Sequence, residues 1–287
     1  MPPRACPACA TALAPWFVKE GLEYGRCPSC GGAFAAVPPG EPARYHDYLP
    51  ALTTVLPGAT RNRYAELLAS FAPWRRTGRL LDVGCGGGFF VGEAAAAGWE
   101  AEGTEVSAAA VAFAKGRGLR VHHGVLSDGP FRPATFDVLA LFEVLEHVPD
   151  PGALMAESAA LLRPGGFLYA TTPNMGSLTR RLLGADWSVI SRDHVSLHTA
   201  RTLRVNCART GLEPLGVLSR NILPHEIGRA FRRRRADAPA PGPMERTVAL
   251  QARIESNVAL GAAKRAANLA LRVTGLGDTL VLRARRR

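Results

Sequence analysis

The stretch that decides the fold is RLLDVGCGGGFF, residues 79–90. A short apolar run ends on Asp82, and four of the five positions from 84 to 88 are glycine. An apolar run that breaks into glycine and then into a helical pattern marks the carboxyl end of a buried parallel strand. Glycine lets the backbone approach a ligand closely, and the helix that follows turns unpaired N–H groups toward it. The spacing starts as G-x-G but has Phe89 where the dinucleotide fingerprint places its third glycine, so that fingerprint fails.

Working outward, the same alternation repeats. Residues 60–74 place Tyr64, Leu67, Leu68 and Phe71 on one helical stripe. After the strand at 79–83, apolar strand patterns fall at 99–105, 119–124, 136–144 and 166–172. Helical patterns fill 88–97, 107–115 with Ser107 as its cap, and 151–162. Strands this apolar, alternating with helices, predict an α/β fold with a parallel sheet covered on both faces. Ligands in such folds bind where the strands end and the strand order reverses. Glu105 closes the second strand about twenty residues after Gly84, where an acid suits a ribose diol. Together these features predict an adenosine-containing cofactor.

The first 36 residues are of another kind. Cys6 and Cys9 form one C-x-x-C turn and Cys27 and Cys30 a second, followed by Gly31 and Gly32. In a reducing compartment this pattern predicts a tetrahedral structural zinc site, a zinc ribbon over 1–36. So short a segment buries little core, and the metal must supply much of its folding energy. Prolines in AAVPPGEP, 35–42, predict a linker spanning 37–59 before the large domain of 60–287. The isolated Cys85 and Cys207 read as buried small residues.

The chain of 287 residues is 47% hydrophobic and 21% charged, an ordinary globular composition. No apolar run reaches the roughly 18 residues of a membrane span, and the N-terminus lacks a secretory signal, so a cytoplasmic protein is expected. The net charge of +11 raises nucleic acid as a partner, but nine arginines sit in just two clusters, 228–238 and 283–287. Residues 221–275 read as an insertion with an Arg run, a Pro-rich break and a helical stripe. It suits a lid, an oligomer contact or a peripheral membrane element.

Four motifs in order, LLDVGCGGG, GTEVS, FDVLALFEVLEHVPDP and LLRPGGFLYATTPN, resemble the class I S-adenosylmethionine-dependent methyltransferases. The similar branch contains the ubiquinone-biosynthesis O-methyltransferases. The resemblance covers about residues 60–220 and implies a Rossmann-like seven-stranded sheet, with strands at 211–220 and 277–286 closing it. It implies S-adenosyl-L-methionine as cofactor, held by Asp82, Gly84, Cys85 and Gly86 around the methionine part. Glu105 takes the ribose, Val106 the adenine, and Phe142 lies beside the methionine. Where the family commonly has an Asp after the third strand, this chain has Val125 and Leu126, which leaves adenine to apolar contacts.

Methyl transfer to a hydroxyl or carbon needs alignment and a base near neutrality, which histidine supplies. His147 and His194 are the candidates, with Glu146 and His147 also readable as a helix-start hydrogen-bonded pair. His194 and His198 form an i, i+4 metal pair only if 191–203 is helical. The expected partner is a small-molecule acceptor. Two other classes stay open: an RNA-modifying methyltransferase that grips RNA through ribbon and arginines, and a non-catalytic zinc-ribbon binding module.

Overall fold

A computed structural model describes residues 5–37, 56–222 and 269–287. The arginine cluster at 228–238, most of the linker and most of the 221–275 insertion therefore lie outside the described residues. Of the insertion, 269–274 is helical.

The central sheet has seven strands: β4 (Arg79–Val83), β5 (Glu100–Glu105), β6 (Val121–His123), β7 (Phe136–Phe142), β8 (Leu162–Pro173), β10 (Leu212–Arg220) and β11 (Thr279–Arg286). Their order across the sheet is β10-β11-β8-β7-β4-β5-β6. The pairs from β6 to β8 are parallel, and β11 runs antiparallel to both its neighbours. The order reverses at β4, which lies between β5 and β7. That is the switch point at which a crevice opens beyond the strand ends.

Period-two alternation sorts the strand residues into two apolar layers. Leu81, Val83, Leu139, Leu141 and Leu168 face Met155 and Ala159 of α4 (Pro151–Leu161) and Leu203 and Cys207 of α6 (Ala200–Arg209). Leu80, Val138, Ala140, Phe167 and Tyr169 face Leu68 and Phe71 of α1 (Gly58–Phe71) and Phe90, Val91 and Ala94 of α2 (Phe89–Ala96). Ser107 caps α3 (Ala108–Gly116) by accepting from the Ala110 N–H, as the sequence predicts. Behind the sheet, Asp137 accepts the N–H groups of Arg76, Thr77 and Gly78, each at 2.7 Å, and the Arg163 guanidinium at 2.5 Å. This ties the turn before β4 to β7.

Among the boundaries that differ from the sequence reading, three bear on the site and the core. Strand β7 stops at Phe142 instead of 144, because Glu143 takes a left-handed φ of 54° that no extended strand permits. Helix α4 ends at Leu161 and β8 begins at once, since Leu162 pairs with Phe136 across a bulge. Strand β6 is confined to three residues. At the C-terminus the basic tail is a strand and no free arm: Arg285 bonds Glu213, Arg286 donates to the Ala160 and Leu162 carbonyls, and Arg283 lies over Phe167.

The N-terminal segment folds as β1 (Ala14–Lys19), β2 (Leu22–Arg26) and β3 (Ala33–Ala35), and a fourth strand comes from the far side of the chain. Strand β9 (Ser196–Leu197), between α5 (Leu178–Leu183) and α6, pairs antiparallel with β3. Tyr24, Ala33 and Ala35 share one apolar cluster with Met175, Leu183, Trp187, Ile190 and Leu197. What reads in sequence as a module with little core of its own completes that core with residues from the large domain.

Candidate functional site

A cavity of about 530 Å³ opens at the carboxyl ends of β4, β5, β6 and β7. One half is built by the glycine turn. Gly84 has φ +69°, and a Cβ there would lie 2.8 Å from Val144 Cγ2, so only glycine lets the turn pass under that side chain. Glu105 is held in place by its neighbours: Oε2 accepts from the Gly86 N–H and Oε1 from the Ser107 N–H, both at 2.8 Å. Each carboxylate oxygen keeps a second acceptor position, the requirement for gripping a pair of hydroxyls. Gly84, Gly86, Glu105, Val106, Val125, Leu126 and Phe142 all line the cavity, together with Thr104 and Gly124.

Two expected members stand behind this wall. Asp82 is buried at 2% exposure, and its Oδ1 has no hydrogen-bond partner. Burial, helped by the Glu105 charge, pushes its carboxyl well above the usual range. An orphaned acidic oxygen beneath a glycine turn suits a ligand carrying a cationic amine. Cys85 turns its sulfur toward Gly103, whose hydrogen faces the thiol where a Cβ would lie 2.6 Å from Sγ. Burial pushes that thiol far up, so it packs and does not react. The acid after the third strand is present three residues on: Asp128 Oδ2 accepts from the Val125 N–H and closes the turn that presents Val125 and Leu126.

The other half carries the titratable groups. His147 and His194 meet with ring centroids 4.6 Å apart, and both line the cavity with Asp193. His147 Nδ1 lies 2.9 Å from the Asp193 carbonyl and His194 Nδ1 lies 2.5 Å from the Val189 carbonyl. A carbonyl only accepts, so both Nδ1 atoms carry the proton and both Nε2 atoms are the basic ones. Burial depresses both rings, His147 to about 3 with the help of His194, so both are neutral at pH 7.

Glu146 is not part of a helix start; it sits in a short 3-10 turn, Leu145–His147, with its carboxyl buried and accepting from Thr172 Oγ1 at 2.9 Å. Burial and the Glu143 charge push it well above the carboxylate range. Glu143 lines the cavity, and desolvation of its carboxyl raises it too. Sequence reasoning missed Glu143; its left-handed φ has no sequence signal. Glu146, His147 and His194 bring one ligand atom each within 4.8 Å of the others. His198 does not join them: 191–203 is not one helix, and His198 is fully buried, with Nε2 3.2 Å from the Leu145 carbonyl and its ring edge-on to Phe34.

Away from the cavity, Cys6, Cys9, Cys27 and Cys30 bring their sulfurs within 4.8 Å of one another. Cys6 and Cys30 are 3.6 Å apart and Cys9 and Cys27 are 3.4 Å apart. Four sulfurs at about 2.3 Å from one tetrahedral zinc are separated by roughly 3.8 Å, so the cluster nearly has that shape. A cation among the four sulfurs would replace the direct Cys6–Cys30 and Cys9–Cys27 contacts with metal–thiolate bonds.

A methyltransferase domain model matches residues 58–217, more than half of the chain. The chain belongs to the class I methyltransferases. Among similar curated proteins, the ubiquinone biosynthesis O-methyltransferase of Aromatoleum aromaticum is 32% identical over 160 residues, covering 51% of this chain and 68% of that one. Its counterpart in Bordetella bronchiseptica is 31% identical over 155 residues, 48% of this chain and 64% of that one. A geranyl diphosphate C-methyltransferase from Streptomyces coelicolor shares the fold, with a TM-score of 0.51, 19% identity, and coverage of 79% of this chain and 77% of that one. So does a [4+2]-cyclase, with a TM-score of 0.50, 23% identity, and coverage of 78% and 80%. This second likeness shows that the fold alone does not name a reaction. In this methyltransferase the matched domain spans the strands that line the cavity and leaves the cysteine cluster outside it.

Proposed function

We propose that this methyltransferase transfers a methyl group from S-adenosyl-L-methionine to a hydroxyl, or an acidic carbon, of a small biosynthetic intermediate. The observation that carries the reading is the cavity itself, with a pre-bonded Glu105 at one end and two neutral histidines at the other. The names of the relatives, both O-methyltransferases, favour the hydroxyl.

In this reading Glu105 accepts the ribose hydroxyls, Val106, Val125 and Leu126 sandwich the adenine, and Asp82 answers the charged amine. S-adenosylmethionine supplies an electrophilic methyl when bound. The apolar wall formed by Val83, Phe142, Val144 and Leu154 excludes water from the transfer. His194 takes the acceptor's hydroxyl proton at Nε2 as the oxygen gains its methyl, and His147 packs beside it with ring centroids 4.6 Å apart. Glu146 holds the turn to Thr172, whose hydroxyl donates to it. The four cysteines bind a structural zinc, since no open ligand position serves catalysis there.

Incubation with methyl-labelled cofactor and a panel of phenolic, quinol, saccharide and polyketide hydroxy compounds tests this. Labelled ether from one class is the expected result, with turnover falling about 10²- to 10⁴-fold in His194→Ala. Failure of the protein to bind S-adenosylmethionine at all would favour the non-catalytic binding module.

A further inference from the structure

The loop that brings Asp193 and His194 to the cavity, residues 184–199, has only two strand residues of its own. Its backbone is held instead by the cysteine-bearing segment. The Ala35 N–H donates to the Val195 carbonyl at 2.8 Å, and Lys19 Nζ donates to the Ala185 and Trp187 carbonyls at 2.8 and 3.1 Å. Tyr24, on β2, reaches closest to the reacting end. Its hydroxyl oxygen lies 3.0 Å from the Ser191 carbonyl and 3.0 Å from the His194 carbonyl.

The side chain is placed for this one task. Tyr24 is 1% exposed and its ring stacks on Phe17 at 4.9 Å, so its direction is fixed by packing. Burial pushes the phenol up to about 12, and the group stays a donor across the working pH range. The Ser191 carbonyl also accepts the His194 N–H at 3.1 Å, so Ser191 to His194 is a closed turn with the Tyr24 hydroxyl at its mouth. Three contacts then set the imidazole: the turn, the Nδ1–H bond to Val189, and a hydroxyl from a segment 170 residues away in sequence.

We propose that Tyr24 is a positioning residue of the transferase site, its hydroxyl bonding the carbonyls of Ser191 and His194 so that the His194 ring faces the acceptor. The cysteine cluster then has a purpose in this chain: the metal it holds keeps β2 rigid, and β2 keeps the base in place. This inference rests on the reading of His194 as the base.

The test uses the full metal-loaded chain carrying Tyr24→Phe, which deletes one oxygen. Expected are unchanged metal content and cofactor affinity, a fall in kcat on the order of 10- to 100-fold, and a displaced midpoint in the pH profile of kcat. The ring signals of His194 in a histidine-labelled NMR spectrum should move as well. Replacing Tyr24 by p-aminophenylalanine, which restores an N–H donor, should recover most of the turnover. Lys19→Met, which cuts the loop farther from the base, should leave the His194 signals in place.

Unchanged kcat, pH profile and His194 signals in Tyr24→Phe overturn the proposal. If His194→Ala keeps full turnover while Tyr24→Phe still moves the His194 signals, the base assignment fails and the positioning contact stands. Should Tyr24→Phe lose its metal, 3-fluorotyrosine at position 24, which keeps the hydroxyl and changes its donor strength, decides: moved His194 signals support the contact, and identical ones refute it.

Discussion

The two ends of the cavity are built by opposite strategies. The cofactor end is local: Gly84, Gly86, Glu105 and Ser107 lie within two consecutive strand-to-helix turns, and the hydrogen bonds among them span fewer than twenty residues. The acceptor end is assembled from three distant stretches. His147 comes from the turn after β7, His194 from the loop after α5, and the backbone of that loop is fixed by the N-terminal segment. The local end must hold one constant ligand, whereas the assembled end can change its acceptor by changing any of three segments.

The largest expected effect breaks the assembled end alone. Chelation of the zinc proposed for the four cysteines, or Cys27→Ala, would deprive the N-terminal sheet of a binding free energy on the order of 10 kcal/mol. Turnover should be abolished while S-adenosylmethionine still binds, read by calorimetry on the treated protein. Equal loss of cofactor binding would show that the two ends are not separable.

Acid should loosen the same region. Buried His198, packed edge-on to Phe34 between the two sheets, is depressed from about 6.5 to about 4. Between these values the unfolded chain binds the extra proton, so stability falls as pH drops from 6.5 to 4, by about 3 kcal/mol for this group. Above 6.5 it contributes no slope. Urea melts across that window, wild type against His198→Gln, should show a shallower acid loss in the variant; equal slopes would assign the loss to other groups.

The smallest effect sharpens the cofactor end. Glu105→Ala should weaken S-adenosylmethionine binding by about 1–3 kcal/mol through lost hydrogen bonds, with the acceptor KM unmoved. A change confined to the acceptor KM would reverse the two ends.

Legibility in the sequence follows the same division. The strand–glycine–helix pattern at 79–90 and the acid at Glu105 are readable because the chemistry and the chain are adjacent there. Five of the seven strands and the C-x-x-C pairs are readable from periodicity and spacing, and the two closing strands from the family resemblance. The pairing of β9 with β3, the Tyr24 contact and the meeting of His147 with His194 are not, because each joins residues far apart in sequence through single side chains. Glu143 is invisible for another reason: its place at the cavity depends on a left-handed backbone that glutamate does not advertise. Cys85 sits in the right loop but faces the sheet, since the absence of a Cβ on Gly103 opens a slot for its sulfur.

A crystal structure with S-adenosylhomocysteine bound tests the central claim most directly. The account predicts ribose hydroxyls within hydrogen-bonding distance of the Glu105 carboxylate, adenine between Val106 and Leu126, and the sulfur directed toward His147 and His194. Nucleoside density away from β5, or sulfur turned from both histidines, would contradict it.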